Sequence, residues 1–177
     1  MDTTQKFNSP QLEVINRAVE AAEELVSNHY KMSASQWLHR RYDIKTAVEL
    51  SENEIVVGPY AQIIRYEGKR NDHKLGSTAY DLYKICLQDH AILETLGVMK
   101  DLELFPFILY IVVHELIHIV RFSSFIQFFD ATSEERMAEE KRVHALTHSL
   151  LEAVPVSGMD AVLEFYSEWR IPYDGVG

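Results

Sequence analysis

Followed from end to end, the apolar positions of this chain change period several times. Leu12, Val14, Ile15, Val19, Ala22, Leu25 and Val26 recur three or four apart. That spacing predicts a helix opened by Pro10, capped by Ser9 and running to about Lys31. Trp37 and Leu38 begin a second short element. Tyr42, Ile44, Thr46, Val48 and Leu50 then alternate with Asp43, Lys45 and Glu49, a strand-like period of two. Residues 55–57 and 61–66 are short and rich in β-branched or aromatic side chains. A small sheet is therefore expected within residues 42–66, with 51–54 as a turn or capping box and Gly58-Pro59 as a break; a helix starting after Ser51 is the competing reading. Residues 68–77 read as a polar surface loop. Helical spacing returns at Thr78 or Ala79 and carries Leu82, Ile85, Cys86, Ala91, Ile92 and Leu96 to about Val98.

Residues 104–129 form the most apolar run of the chain, with Pro106 in the first turn of a helix expected to reach about Phe129. Thr132 or Ser133 caps the next helix, which continues to about Ala153. Pro155, Ser157 and Gly158 break the chain, and residues 159–170 read as a last helix. The fold class expected is mainly α, or α+β if residues 42–66 form their small sheet, in a single domain over residues 1–177. Residues 1–9 and 171–177 are expected to be loose tails.

Composition narrows the function. An apolar share of 47% suits a packed core, and the net charge of −10 argues against nucleic acid or an anionic membrane surface as a partner. Cys86 stands alone, so neither an internal disulfide nor a thiolate zinc site is available. The first residues lack a basic-then-apolar pattern, and residues 104–129, the one run of spanning length, contain His114, Glu115, His118, Arg121 and Gln127. A buried central helix in a cytoplasmic protein is the expectation. Oligomeric state is not legible.

The chemistry lies in that run. His114-Glu115-Leu116-Ile117-His118 sets two imidazoles four apart, one above the other on a helix, where both reach one metal ion. Glu115 lies about 100° round the helix, in reach of a water but not of the same approach as the rings. Catalytic zinc takes three protein ligands and leaves one position for water. On the following helix Glu139 leads an apolar stripe through Val143, Leu146 and Leu150. Glu140, His144, His148 and Leu151 form the neighbouring stripe, with Met137 at its edge. Glu140 is the favoured third ligand, with His144 behind it; Glu139 and a directly ligating His144 are the alternatives. Tyr110 and Arg121 extend the ligand face of the motif helix as candidate oxyanion stabilisers. His29, His39, His73 and His90 have no motif context.

These residues resemble a known group. His114-Glu115-x-x-His118, followed after 22 positions by Glu140-x-x-x-His144, resembles the zincin-like metallopeptidases whose third ligand is a glutamate, the gluzincins. Residues 139–145 resemble the glutamate helix of bacterial peptidases that cleave phage-type repressors. Taken together, the chain is most similar to a bacterial family of predicted zinc peptidases. The resemblance covers residues 104–153. It implies a buried motif helix packed on a glutamate-bearing helix, a small sheet whose edge strand binds substrate, Zn2+ as cofactor and a peptide or protein substrate. Many gluzincins carry Asp four residues after the ligand glutamate, where this chain has His144. The glycine and third histidine of the metzincins are lacking. Two other classes are consistent with parts of the motif. A di-iron bundle would use Glu115-x-x-His118 but needs a second such unit, which is not present. A non-catalytic metal-binding scaffold would close the metal sphere with a fourth ligand, from His144 or His148.

Overall fold

The computed structural model describes residues 2–33, 42–69, 79–123 and 131–170. It is built around one helix, α3 (Leu104–Ser123), that is buried almost all round. A helix apolar on every face needs cover on every face. Its one stretch long and apolar enough to cross a membrane is 78% buried inside the protein. Helix α1 (Ser9–Tyr30) lies along it through Ile15, Ala18, Ala22 and Val26; the two alanines let the backbones approach closely. Asn8, not Ser9, caps α1, in a reciprocal box with Gln11 at 2.9 Å each way. Helix α4 (Ser133–Glu152) packs on α3 from another side, capped by Thr132 in a box with Glu135. Helix α5 (Met159–Phe165) and a 3-10 turn (Ser167–Arg170) replace the single last helix expected over residues 159–170.

The sheet has three strands in the order β1-β3-β2. Strand β1 (Tyr42–Lys45) runs parallel to β3 (Ala79–Leu87), and β2 (Ala61–Lys69) runs antiparallel to it, Ala61 facing Leu87. The architecture is therefore mainly helical with a small sheet.

Four expectations change here. The helix expected from residue 78 or 79 to 98 is strand β3 followed by the shorter helix α2 (Asp89–Val98), so Cys86 sits on a strand. Tyr83, Ile85 and Leu87 point into the core while Cys86 is buried on the other face. A strand covered on both sides loses its alternation and reads like a buried helix. The alternation from Tyr42 stops at Lys45, where Ala47–Glu49 turns in 3-10 form. Asp89 draws that turn inward, its carboxylate accepting from Ala47 N at 3.0 Å. The other Asp89 oxygen accepts from Phe7 N at 2.9 Å, and Phe7 is buried, so this part of the expected loose N-terminal tail is anchored. Strand β2 extends through Lys69 into the expected loop of residues 68–77. Trp37, Leu38, His39, His73, residues 124–129 of the motif run and the expected tail 171–177 lie outside the described residues.

Candidate metal centre

Strand β2, α3 and α4 meet over the polar residues of α3. His114 and His118 are buried, their ring centroids 4.7 Å apart. Phe122, one turn on from His118, stacks on its ring at 5.9 Å and on Tyr83 of β3 at 5.8 Å, which ties His118 to the sheet. From α4, Glu140 brings one carboxylate oxygen to 2.7 Å from His114 Nε2 and the other to 3.1 Å from His118 Nε2. One donor atom from each of these three residues falls within 4.8 Å of the others.

His114 decides what this cluster can hold. Its Nδ1 contacts Glu115 Oε1 at 2.9 Å, the bond that places the ring proton on Nδ1. Its Nε2 is buried and makes no hydrogen bond, although Glu140 Oε1 is only 2.7 Å away. Two such atoms this close need a positive charge between them, a proton on the ring or a metal ion. Burial pushes the His114 imidazole down, but the Glu115 and Glu140 carboxylates outweigh it and raise it to about 10. Burial likewise pushes Glu140 up, while the two imidazoles hold it well below the usual carboxylate range. The field at the centre of the cluster therefore favours a cation, and two imidazoles with a carboxylate are the donor set of a divalent transition metal.

His144 stands behind the three. Its Nδ1 shares a 2.7 Å hydrogen bond with the Tyr110 hydroxyl, and its Nε2 is 3.8 Å from Glu140 Oε1. Burial first, and then the neighbouring His114, push its pKa down to about 3. The neutral ring held by Tyr110 packs against the His114 ring, centroids 4.2 Å apart, and lies outside hydrogen-bond reach of the Glu140 carboxylate. Tyr110 thus spends its hydroxyl on His144. Glu139 points elsewhere: it pairs with Arg121 and, at 3.0 Å, with Arg142 Nη1. Neither Glu139 nor Arg121 lines a cavity at the cluster. His148 Nε2 contacts the Tyr166 carbonyl at 3.2 Å.

Two cavities flank the cluster and share Ala61, His114, Glu115 and Glu140 in their walls. The larger, about 490 Å³, is completed by Gln62 and Ile63 of β2, by Phe122 and by the first turns of α4. The smaller, about 290 Å³, is aromatic, lined by Tyr60, Tyr110 and Tyr166. Tyr166 lies flat on Tyr110, centroids 4.0 Å apart and planes 5° apart, and burial holds its phenol well above the ordinary value. Sequence reasoning missed Tyr166, since nothing local ties a residue after α5 to the motif. Residues 61–63 carried a signal, the strand pattern, but none for their place beside the cluster. His90, which has no motif context, is buried in the first turn of α2. No protein-family model, curated protein or solved structure matches the chain.

Proposed function

We propose that this chain is a zinc-dependent hydrolase of peptide bonds, a zincin-like metallopeptidase in which His114, His118 and Glu140 hold the metal and Glu115 is the general base. The observation that carries the proposal is the convergence of one donor atom each from His114, His118 and Glu140 within 4.8 Å of one another, with the buried Nε2 of His114 only 2.7 Å from a Glu140 oxygen. Bound there, Zn2+ would supply Lewis acidity and bring the pKa of a water toward neutrality.

The chain's own residues divide the remaining work. Glu115 uses Oε1 to hold the Nδ1 proton of His114 and so fixes the tautomer of a ligand. Its Oε2 makes no hydrogen bond among the described residues, and Glu115 lines both cavities. That oxygen takes the proton of the attacking water and delivers it to the leaving amine. Strand β2 pairs only with β3 among the described residues, while Ala61, Gln62 and Ile63 form a wall of the larger cavity. A peptide laid along such an edge is held by main-chain hydrogen bonds in an extended form, with its amide passing the cluster. Tyr110 holds His144, whose ring packs against that of His114.

The test is metal content in protein purified without added metal, the ion located by anomalous scattering, together with cleavage of a mixed peptide library read by mass spectrometry. One zinc per chain is expected at the three ligands. Glu115→Gln should retain it and lose cleavage by about a hundredfold or more; His114→Ala should lose the metal. A fully active Glu115→Gln protein, or undiminished zinc in His114→Ala, overturns the assignment. Zinc bound without any cleavage by the unaltered chain overturns the peptidase in favour of a non-catalytic scaffold.

A further inference from the structure

The geometry points to Arg136 as a residue that selects substrates by charge, reading a carboxylate on the peptide close to the bond that is cut. The inference rests on the reading of the cluster as a peptidase site. Ser133, Arg136, Met137 and Glu140 form one stripe of α4, and all four line the larger cavity. Arg136 is exposed there and is the sole lysine or arginine in that wall among the described residues. Three neighbouring carboxylates are committed elsewhere. Glu140 faces the two imidazoles, Glu135 is tied to Thr132 N at 3.0 Å, and Glu139 is paired with Arg121 and Arg142. Arg136 forms no ion pair among the described residues, in a chain with 27 acidic and 17 basic side chains.

A guanidinium left over in the wall of a cleft is a fork for a carboxylate, which it binds with two parallel hydrogen bonds. Arg136 is one helical turn from Glu140, about 6 Å along the axis. An extended peptide advances about 3.3 Å per residue, so the carboxylate it reads lies about two residues from the cut bond. Ile63, Phe122 and Met137 in the same wall suit an apolar side chain between them. The substrate class is thus a peptide with an apolar residue next to a carboxylate, supplied either by an acidic side chain or by the end of the chain.

Binding separates this from the chemistry. Zinc-loaded Glu115→Gln protein is titrated by fluorescence anisotropy with end-blocked peptides carrying one glutamate at successive positions. Matched peptides carry glutamine instead, and a third set carries glutamine and a free C-terminal carboxylate. One glutamate position should bind about tenfold or more tighter than its glutamine partner. That preference should vanish with an added Arg136→Gln change and turn toward lysine with Arg136→Glu. A gain confined to the third set identifies the chain end as the source of the carboxylate. Equal binding of glutamate, glutamine and free-end peptides overturns the inference, as does a preference that survives Arg136→Glu or the binding of no peptide at all. Charge-selective binding without cleavage by the unaltered chain overturns the peptidase proposal alone.

Discussion

Glu54 offers the sharpest test of how the wall of the larger cavity is held. The residue is buried beside the sheet at the end of a 3-10 turn and accepts four hydrogen bonds. These come from Lys84 Nζ of β3 at 2.8 Å, the Tyr66 hydroxyl of β2 at 2.7 Å, and Ser51 N and Oγ at 3.0 Å each. Its main-chain carbonyl also accepts from Gln62 and Gln88. The bond from Lys84, with those from Ser51 N and Tyr66, lowers the carboxyl from its ordinary 4.5 to about 2. Taken whole, that difference is worth about 3 kcal/mol. Lys84 is 23% exposed, and water there screens the pair, which leaves about 2 kcal/mol. Because the folded pKa is the lower one, this stability is fully present above about pH 4.5 and is lost as pH falls through about 2. Glu54→Gln should therefore lower the unfolding free energy by about 2 kcal/mol at pH 7, roughly a 1 M drop in urea midpoint. At pH 2 the gap should shrink to under about half a kcal/mol, since about half of the folded carboxyls are by then protonated and the linkage contribution has nearly gone. Urea unfolding of both proteins across that range, followed by circular dichroism, measures the difference. A gap of equal size at pH 7 and pH 2 would mean that Glu54 acts through shape and not through charge.

Three further outcomes follow from single contacts. Gly158 has φ +82°, and a Cβ added there would meet Glu103 Oε2 at 2.9 Å and Pro106 Cγ at 3.2 Å; Gly158→Ala should cost about 1–2 kcal/mol, whereas Gly97→Ala, with nothing within 4 Å, should be neutral or stabilising by thermal melting. Tyr110→Phe removes the 2.7 Å bond to buried His144 and should cost about 1–2 kcal/mol while leaving metal stoichiometry unchanged. Thr132→Ala removes the cap of α4 and should cost about 1 kcal/mol, with faster hydrogen exchange in its first turn as the check.

What was legible in the chain, and what was not, divides by the range of the interaction. His114 and His118 were legible because an i, i+4 spacing brings two rings together by helix geometry alone. Helix α1 was legible from periodicity, though its cap is Asn8 and not Ser9, and the start of α4 was legible from Thr132, local signals that survive in any tertiary setting. Strand β3 was not, because cover on both faces erased the alternation by which strands are recognised. Tyr166 and Gln62 were not, since their places depend on where the chain returns after α5 and β3. The choice between Glu139 and Glu140 lay between these extremes. Helical phase separates the two side chains by about 100°, but which faces the histidines depends on where α4 meets α3. Arg121 and Arg142 receive Glu139 on one side, and His114 and His118 face Glu140 on the other. That division has a common cause. A helix as buried as α3 leaves His114 and His118 no solvent and Arg121 little, so their partners come from the element packed on them. Helix α4 presents adjacent carboxylates to two different polar spots on α3. The arginine takes one charge, and the two imidazoles receive the other.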